Sequence, residues 1–140
     1  MKRTLKLFVY GTLQPHAGTR MAGWVASRQV WAEPASAPGR LQGVRGATGW
    51  FPALVPGKGA ARVQGTLCVL RLTAGELALL DRYEGREYRR FALSVRTATG
   101  RRAVAQTYRW RVPLSTKSPT IARGDFLGWL RASRRRVFSN

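Results

Sequence analysis

The stretch ARVQGTLCVLRLTAGELALLDRYEG, residues 61–85, carries the most regular pattern in the chain. Its first half, residues 61–72, is an apolar run with the alternation of a β-strand. The next four residues, Thr73-Ala74-Gly75-Glu76, have the S/T-x-x-E form of a capping box, which predicts a helix starting at residue 74. Gly85 predicts the end of that helix. The stretch therefore predicts a long strand followed by a capped helix.

The segments around this unit predict further strands. Residues 5–10 (LKLFVY) and 24–33 (WVASRQVWAE) are interpreted as strands, and residues 34–60 as short strands joined by turns rich in Pro and Gly. Residues 87–100 and 101–112 alternate and meet at Gly100, which predicts an antiparallel hairpin. Residues 121–133 predict a closing helix. The predicted class is α+β, with a dominant sheet curled so that few edges stay open.

The length of 140 residues suits one domain with one hydrophobic core. We assign residues 1–133 to a single domain and residues 134–140 to a basic tail. No apolar run approaches the roughly 20 residues that span a bilayer, and the apolar run near the N-terminus is too short for a signal peptide. These features predict a soluble, cytoplasmic protein without a membrane partner. They do not indicate its oligomeric state.

The amino-acid composition limits the residue types that could serve in catalysis or metal binding. The single cysteine, Cys68, lies in an apolar run, which excludes an internal disulfide and favours a buried hydrophobic role over a nucleophile. The single histidine, His16, leaves no Cys/His cluster for zinc, so no metal is predicted. There are only six acidic residues against 25 basic ones, 21 of them Arg, and the net charge is +19. Catalysis, if present, must depend mainly on carboxylates.

One of those six carboxylates faces the core of the predicted helix. At one hundred degrees per residue, Glu84 lies within roughly twenty degrees of Leu77, on the face that Leu77 and Leu80 must bury. Burial and the negative end of the helix dipole both raise the pKa of a carboxyl group there. A raised pKa suits a group that takes up and returns protons near neutrality. The alternative is a structural ion pair with a nearby arginine.

The second candidate feature is the end of the first strand, Tyr10-Gly11-Thr12-Leu13. A Gly at this position tolerates unusual φ/ψ values, so successive backbone N–H groups could turn toward one point. Such a set of donors binds a carboxylate or stabilises an oxyanion. The alternative is an ordinary turn in which Tyr10 packs in the core. Together with the inward-facing Glu84, the loop indicates a site for acyl transfer.

These segments resemble the γ-glutamylcyclotransferase-like (AIG2-like) family. Its members carry a Y-G-T-L loop after the first strand and a helix-end pattern L-D-x-x-E-G-x-x-Y-x-R. Here the chain has VYGTL at 9–13 and LDRYEGREYRR at 80–90, with further similar segments in GRL (39–41), FPALV (51–55), VQGTLCVL (63–70) and IARGDFLGWL (121–130). The chain departs from the family at Phe51 and Cys68, where relatives have Tyr, and in the residues that follow Leu13.

The resemblance implies a small mixed, mostly antiparallel β-barrel flanked by a central and a C-terminal helix. It implies an enzyme that cyclises the γ-glutamyl group of a small γ-glutamyl amine or amino acid to 5-oxoproline and needs no cofactor. Glu84 would be the general acid/base. Tyr10, Gly11, Thr12 and Leu13 would bind the polar end of the substrate, and Tyr88 and Tyr108 would line the pocket.

A different class of function stays open. The Arg-rich surface, including Arg101-Arg102 and the triple Arg at 134–136, could bind nucleic acid or another polyanion while the barrel has no catalytic role. Non-specific polyanion binding is expected in any case from the net charge of +19. No nucleic-acid motif is present in the sequence.

Overall fold

The computed structural model describes residues 1–46, 49–57 and 59–133. The predicted basic tail, residues 134–140, lies outside these ranges. In chain order the elements are β1 (Arg3–Val9), α1 (Arg20–Arg28), β2 (Gln29–Pro38), β3 (Arg40–Arg45), β4 (Trp50–Val55), β5 (Arg62–Leu72), α2 (Ala74–Glu84), β6 (Tyr88–Thr97), β7 (Arg102–Trp110) and α3 (Phe126–Ser133). A single 3-10 turn, Pro15–Ala17, lies between β1 and α1.

Five strands close into a barrel in the order β1-β5-β2-β6-β7, while β3 and β4 form a separate hairpin. β1 pairs antiparallel with β5 and parallel with β7, which closes the barrel. β6 and β7 form the predicted antiparallel hairpin. The structure therefore confirms the mixed, mostly antiparallel barrel that the resemblance implies.

The alternation of β1 divides the core into two clusters. Phe8 belongs to the cluster in the barrel interior, which α3 also joins through Phe126, Leu127 and Leu130. Leu7 and Val9 point the other way, into a cluster that includes Val25 of α1 and Leu80 of α2. Because successive residues of a strand face opposite sides, one strand serves both clusters.

The strand predicted over residues 24–33 is wrong in its first half. Residues 24–28 belong to α1, and β2 begins at Gln29. The side chain of Thr19 caps α1 by accepting a hydrogen bond from the Ala22 N–H at 3.1 Å. The helix buries Ala22 and Val25, three residues apart, and Val25 packs in the same cluster as Leu7 and Val9. This packing decides the helical conformation.

The capped helix is confirmed. The Glu76 N–H donates to Thr73 Oγ1 at 3.1 Å, and the Thr73 N–H donates to Glu76 Oε1 at 2.9 Å, so both halves of the capping box are formed. Arg28 Nε also donates to Glu76 Oε2 at 2.9 Å, which ties α1 to the start of α2. In the part of the chain that the structure describes, no helix is long and apolar enough to cross a membrane.

Candidate active site

A cavity of about 440 Å³ opens at the end of the barrel where β1 ends and β6 begins. Its size is in the range of small-molecule sites. All seven residues that the sequence singled out line it: Tyr10, Gly11, Thr12, Leu13, Glu84, Tyr88 and Tyr108. Residues that were not predicted as site residues also form its wall: Phe8, Val9, Phe51, Pro52, Tyr83, Gly85 and Glu87. The structure thus brings the two candidate segments together at one cavity.

Glu84 is the last residue of α2. The helix stops there because Gly85 adopts φ 91°, a left-handed value that favours glycine, and its N–H bonds back to Asp81 O at 3.2 Å. Leu80, one turn before Glu84, is fully buried. Glu84 follows it on the same face of the helix and reaches the cavity wall. The inward orientation predicted from the helical periodicity agrees with this position.

The carboxyl group of Glu84 has no hydrogen-bond or ion-pair partner within the described ranges. Desolvation by the surrounding protein raises its pKa to about 8, and the negative charge of Asp81 contributes to the same shift. Glu84 keeps part of its surface open to the cavity. A ligand in the cavity would therefore meet a carboxyl group that gains and loses a proton near neutral pH.

Asp81 has the opposite environment. Arg90 Nε donates to Asp81 Oδ1 at 3.0 Å, and the hydroxyl of Tyr108 donates to the same oxygen at 2.6 Å. Burial alone would raise the pKa of Asp81, but the hydrogen bonds from Arg90 and Tyr108 hold it below its usual value. Two carboxyl groups three residues apart are thus kept in different protonation states, a pattern typical of acid/base sites. Asp81 is thus the ion-pair partner of Arg90.

The loop after β1 supplies backbone donors. In the described part of the chain, the N–H groups of Gly11, Thr12 and Leu13 donate to no protein acceptor. The carbonyl groups are used instead: Gly11 O accepts from the Gln14 N–H, and Thr12 O accepts from the Thr19 hydroxyl at 2.7 Å. The amides therefore remain available to a ligand at the cavity wall.

The requirement for glycine at residue 11 has a different cause from the one predicted. Gly11 does not have a positive φ, so left-handed backbone freedom is not needed there. A Cβ at this position would lie 2.6 Å from the Cγ of Pro52, which is closer than real Cβ contacts. Glycine is needed because β4 passes directly against the loop.

Aromatic side chains hold the walls in place. The hydroxyl of Tyr88 donates to the carbonyl of Pro52, and the hydroxyl of Tyr10 donates to the carbonyl of Tyr108. Tyr88 also packs edge-on against Trp110, with ring centroids 5.2 Å apart. The sequence signal that could have found Pro52 is the FPALV segment, but only the β3–β4 hairpin shows that it faces the loop.

The residues first considered for other chemistry lie elsewhere. His16 is exposed in the 3-10 turn. Cys68 is fully buried in β5, and burial raises the pKa of its thiol to about 12, which agrees with its predicted role as a small hydrophobic residue. Among residues 1–46, 49–57 and 59–133, no group of three or more His, Cys, Asp or Glu side chains could hold a metal ion.

A closed barrel with a carboxyl group and free backbone amides at one end defines a class of small barrel proteins with a cavity of small-molecule size. Residues 7–129 match the family described as "Gamma-glutamyl cyclotransferase, AIG2-like". Because the match extends over most of the chain, the protein belongs to this family.

Solved structures share the fold. YkqA from Bacillus subtilis is 24% identical with a TM-score of 0.67, and the similarity covers 96% of this chain and 43% of YkqA. This chain therefore spans less than half the length of that relative. An AIG2-like protein from Mus musculus is 22% identical with a TM-score of 0.61, over 84% of this chain and 86% of the mouse chain. A structure titled "Gamma-glutamyl cyclotransferase" is 16% identical with a TM-score of 0.56, over 99% and 90%. No curated protein matches significantly.

The polyanion-binding alternative gains no support from these comparisons. Arg101, one of the residues that motivated it, donates to Glu33 in an ion pair. Arg96 and Arg102 do lie opposite each other on β6 and β7. The triple Arg at 134–136 lies outside the described residues.

Proposed function

We propose that this protein cyclises the γ-glutamyl group of a small γ-glutamyl amine or γ-glutamyl amino acid to 5-oxoproline and releases the free amine, with Glu84 as general acid/base. The observation that carries the proposal is the unpaired carboxyl group of Glu84, with its pKa raised to about 8, in the same cavity as the Tyr10–Leu13 loop. Membership of the family supports the reaction class.

Binding supplies the orientation that the reaction needs. The α-amine of a γ-glutamyl amide must curl back to reach its own side-chain carbonyl carbon. The free N–H groups of Gly11, Thr12 and Leu13 are donors for the substrate carboxylate or for the carbonyl oxygen on which negative charge develops. Holding the curled conformer removes an entropic barrier that can be worth several kcal/mol.

Glu84 can both accept a proton from the substrate and return it. Glu84 as carboxylate removes a proton from the α-ammonium, and the free amine attacks the carbonyl carbon to form the new C–N bond of the five-membered ring. The tetrahedral centre then collapses, and the old C–N bond breaks as Glu84 returns its proton to the departing nitrogen. The second proton that the attacking nitrogen loses on becoming the ring amide passes to the released amine, which leaves as an ammonium ion. Charge and atoms balance without water or a redox partner. The pKa of Glu84, about 8, is much closer to the pKa of an amine than the ordinary Glu value of about 4.3 is, so proton transfer from the α-ammonium is less uphill.

A direct screen tests the function. The protein is incubated with a panel of γ-glutamyl amines and γ-glutamyl amino acids, and 5-oxoproline and the free amine are measured by mass spectrometry. We expect stoichiometric release of both products from at least one compound. Absence of 5-oxoproline with every member of the panel would contradict the proposed function.

A further inference from the structure

The charge of the cavity is opposite to the charge of the protein. The chain has 25 basic residues and six acidic ones. Yet none of the described residues that line the cavity is Lys or Arg, whereas two of them, Glu84 and Glu87, are acidic. Away from the N–H groups of the loop, this lining favours a positively charged group over a negatively charged one.

Glu87 differs from most other acidic residues of the chain because it has no arginine partner among the described residues. Glu33, Glu76 and Asp81 each form an ion pair with an arginine, but Glu87 forms none within the described ranges, although Arg86 precedes it and Arg89 follows two residues later. Its carboxylate instead lies over the helix end: a Cβ on Gly85 would be 3.0 Å from Glu87 Oε2. The carboxylate thus lies beside Gly85, which lines the cavity, and has no ion-pair partner within the described ranges.

The position of Glu87 relative to Tyr88 supports the same view. Burial raises the pKa of the Tyr88 hydroxyl, and the neighbouring Tyr10, Glu84 and Glu87 raise it further. The negative charge of Glu87 is therefore felt inside the cavity. The rings of Phe51 and Tyr88 also line the wall, and aromatic faces attract cations.

The Tyr10–Leu13 loop provides donors for only one carboxylate of the substrate. The free N–H groups of residues 11–13 can serve the α-carboxylate of the γ-glutamyl group itself. A second carboxylate on the departing amine, as in a γ-glutamyl amino acid, would meet no cation among the described lining residues and would approach Glu87. A second ammonium group would meet a carboxylate that has no other partner.

We propose that Glu87 is a specificity-determining residue that selects γ-glutamyl compounds whose departing amine carries a further positive charge, such as γ-glutamyl conjugates of diamines. This inference rests on the proposed cyclisation at the same site. Glu87 takes no part in the proton transfers. It binds the distal ammonium in the ground state and the transition state alike, so its effect falls mainly on KM.

A matched substrate series tests the proposal. The γ-glutamyl amides of n-butylamine, 1,4-diaminobutane and 4-aminobutyrate share one four-carbon chain and differ only in the distal group, which is neutral, cationic or anionic. At low ionic strength we expect kcat/KM to fall about fivefold from the cationic to the neutral compound, and by a similar factor from the neutral to the anionic one. The differences should lie mainly in KM and shrink with added salt.

Substitution of Glu87 tests whether this residue causes the preference for a cationic amine. In Glu87→Gln the ratio of kcat/KM between the cationic and neutral compounds should fall toward one, and in Glu87→Lys the order should invert in favour of the anionic compound. Glu33→Gln, the same change at the Arg101 ion pair remote from the cavity, should keep the wild-type ratio. Glu87 is exposed, so folding is expected to survive and is checked by circular dichroism.

The outcomes separate the two proposals. If none of the three compounds yields 5-oxoproline and the wider panel also fails, the cyclisation itself is contradicted. If the compounds react at equal rates, or if the cationic preference persists in Glu87→Gln, the cyclisation stands and the role of Glu87 is overturned.

Discussion

Glu84 and Asp81 lie one turn apart at the end of α2, and the charge of Asp81 helps to raise the pKa of Glu84 to about 8. Asp81 itself stays ionised because Arg90 and Tyr108 both hydrogen-bond to it. The helix thus carries one carboxyl group held as an anion and one that titrates near neutral pH. This relationship gives the site an acid/base group without histidine.

The first prediction concerns the pH dependence of turnover. The reaction needs Glu84 as carboxylate, so kcat/KM should rise with pH along a limb whose apparent pKa is about 8. The rates are measured between pH 5 and pH 10 with the compound that the protein turns over fastest. A limb near pH 4 to 5, the ordinary range of Glu, would contradict the raised pKa.

The second prediction separates the two causes of that pKa. Asp81→Asn removes the negative charge but keeps the size of the side chain and an acceptor for Tyr108. Desolvation of Glu84 remains, so the limb should move to lower pH by about half a unit to one unit and no further. Glu33→Gln serves as the charge-matched control and should leave the limb in place. An unchanged limb in Asp81→Asn would show that Asp81 has no influence on Glu84.

The third prediction concerns stability. The folded-state pKa of Glu84 is raised above its unfolded value, so the folded protein binds more protons than the unfolded chain between about pH 4.5 and pH 8. The contribution of Glu84 is therefore most favourable below pH 4.5 and is lost as pH rises toward 8. Glu84→Gln has no titrating group at this position and so lacks this loss. The difference in free energy of unfolding between Glu84→Gln and the wild type should therefore increase by about 1 to 3 kcal/mol between pH 5 and pH 8.

Urea unfolding at several pH values measures this difference. Glu33→Gln is again the control, because the pKa of Glu33 is lowered by its hydrogen bond with Trp31 and by Arg101, so its effect should be constant over the same interval. A pH-independent difference between Glu84→Gln and the wild type would mean that Glu84 is solvated like an ordinary surface carboxylate.

The fourth prediction tests the contact between the loop and β4. In Gly11→Ala the new Cβ would clash with Pro52, so the loop must shift, and we expect kcat/KM to fall by at least about tenfold with a loss of roughly 1 to 3 kcal/mol in stability. Gly23→Ala on α1 is the matched control, because nothing lies within 4 Å of its Cβ and alanine favours a helix. Equal activities of the two variants would show that the loop geometry is unimportant.

Local patterns predicted much of the fold and part of the site. The capping box at Thr73 and the helical periodicity of Leu77, Leu80 and Glu84 depend on neighbours in sequence, so α2 and the inward direction of Glu84 could be inferred. The hairpin of β6 and β7 was predicted for the same reason, from alternation around one turn. The closed barrel itself entered through the family resemblance.

What the sequence did not show depends on contacts between distant segments. Arg90 and Tyr108 both reach Asp81 because they are cross-strand partners in β6 and β7. No local sequence pattern specifies that register. Pro52 faces Gly11 across about forty residues of chain. Helix α1 was misassigned because its conformation depends on the Thr19 cap and on burial of Val25 beside Leu7 and Val9 of β1.

The most direct test of Glu84 as the acid/base residue is the rate of 5-oxoproline release by Glu84→Gln, with Glu33→Gln as the folded control. Glutamine keeps the size of the side chain but cannot take up a proton, so kcat should fall by about 100-fold or more while the protein stays folded. Glu84→Gln that retains the wild-type rate on the same substrate would contradict the assignment.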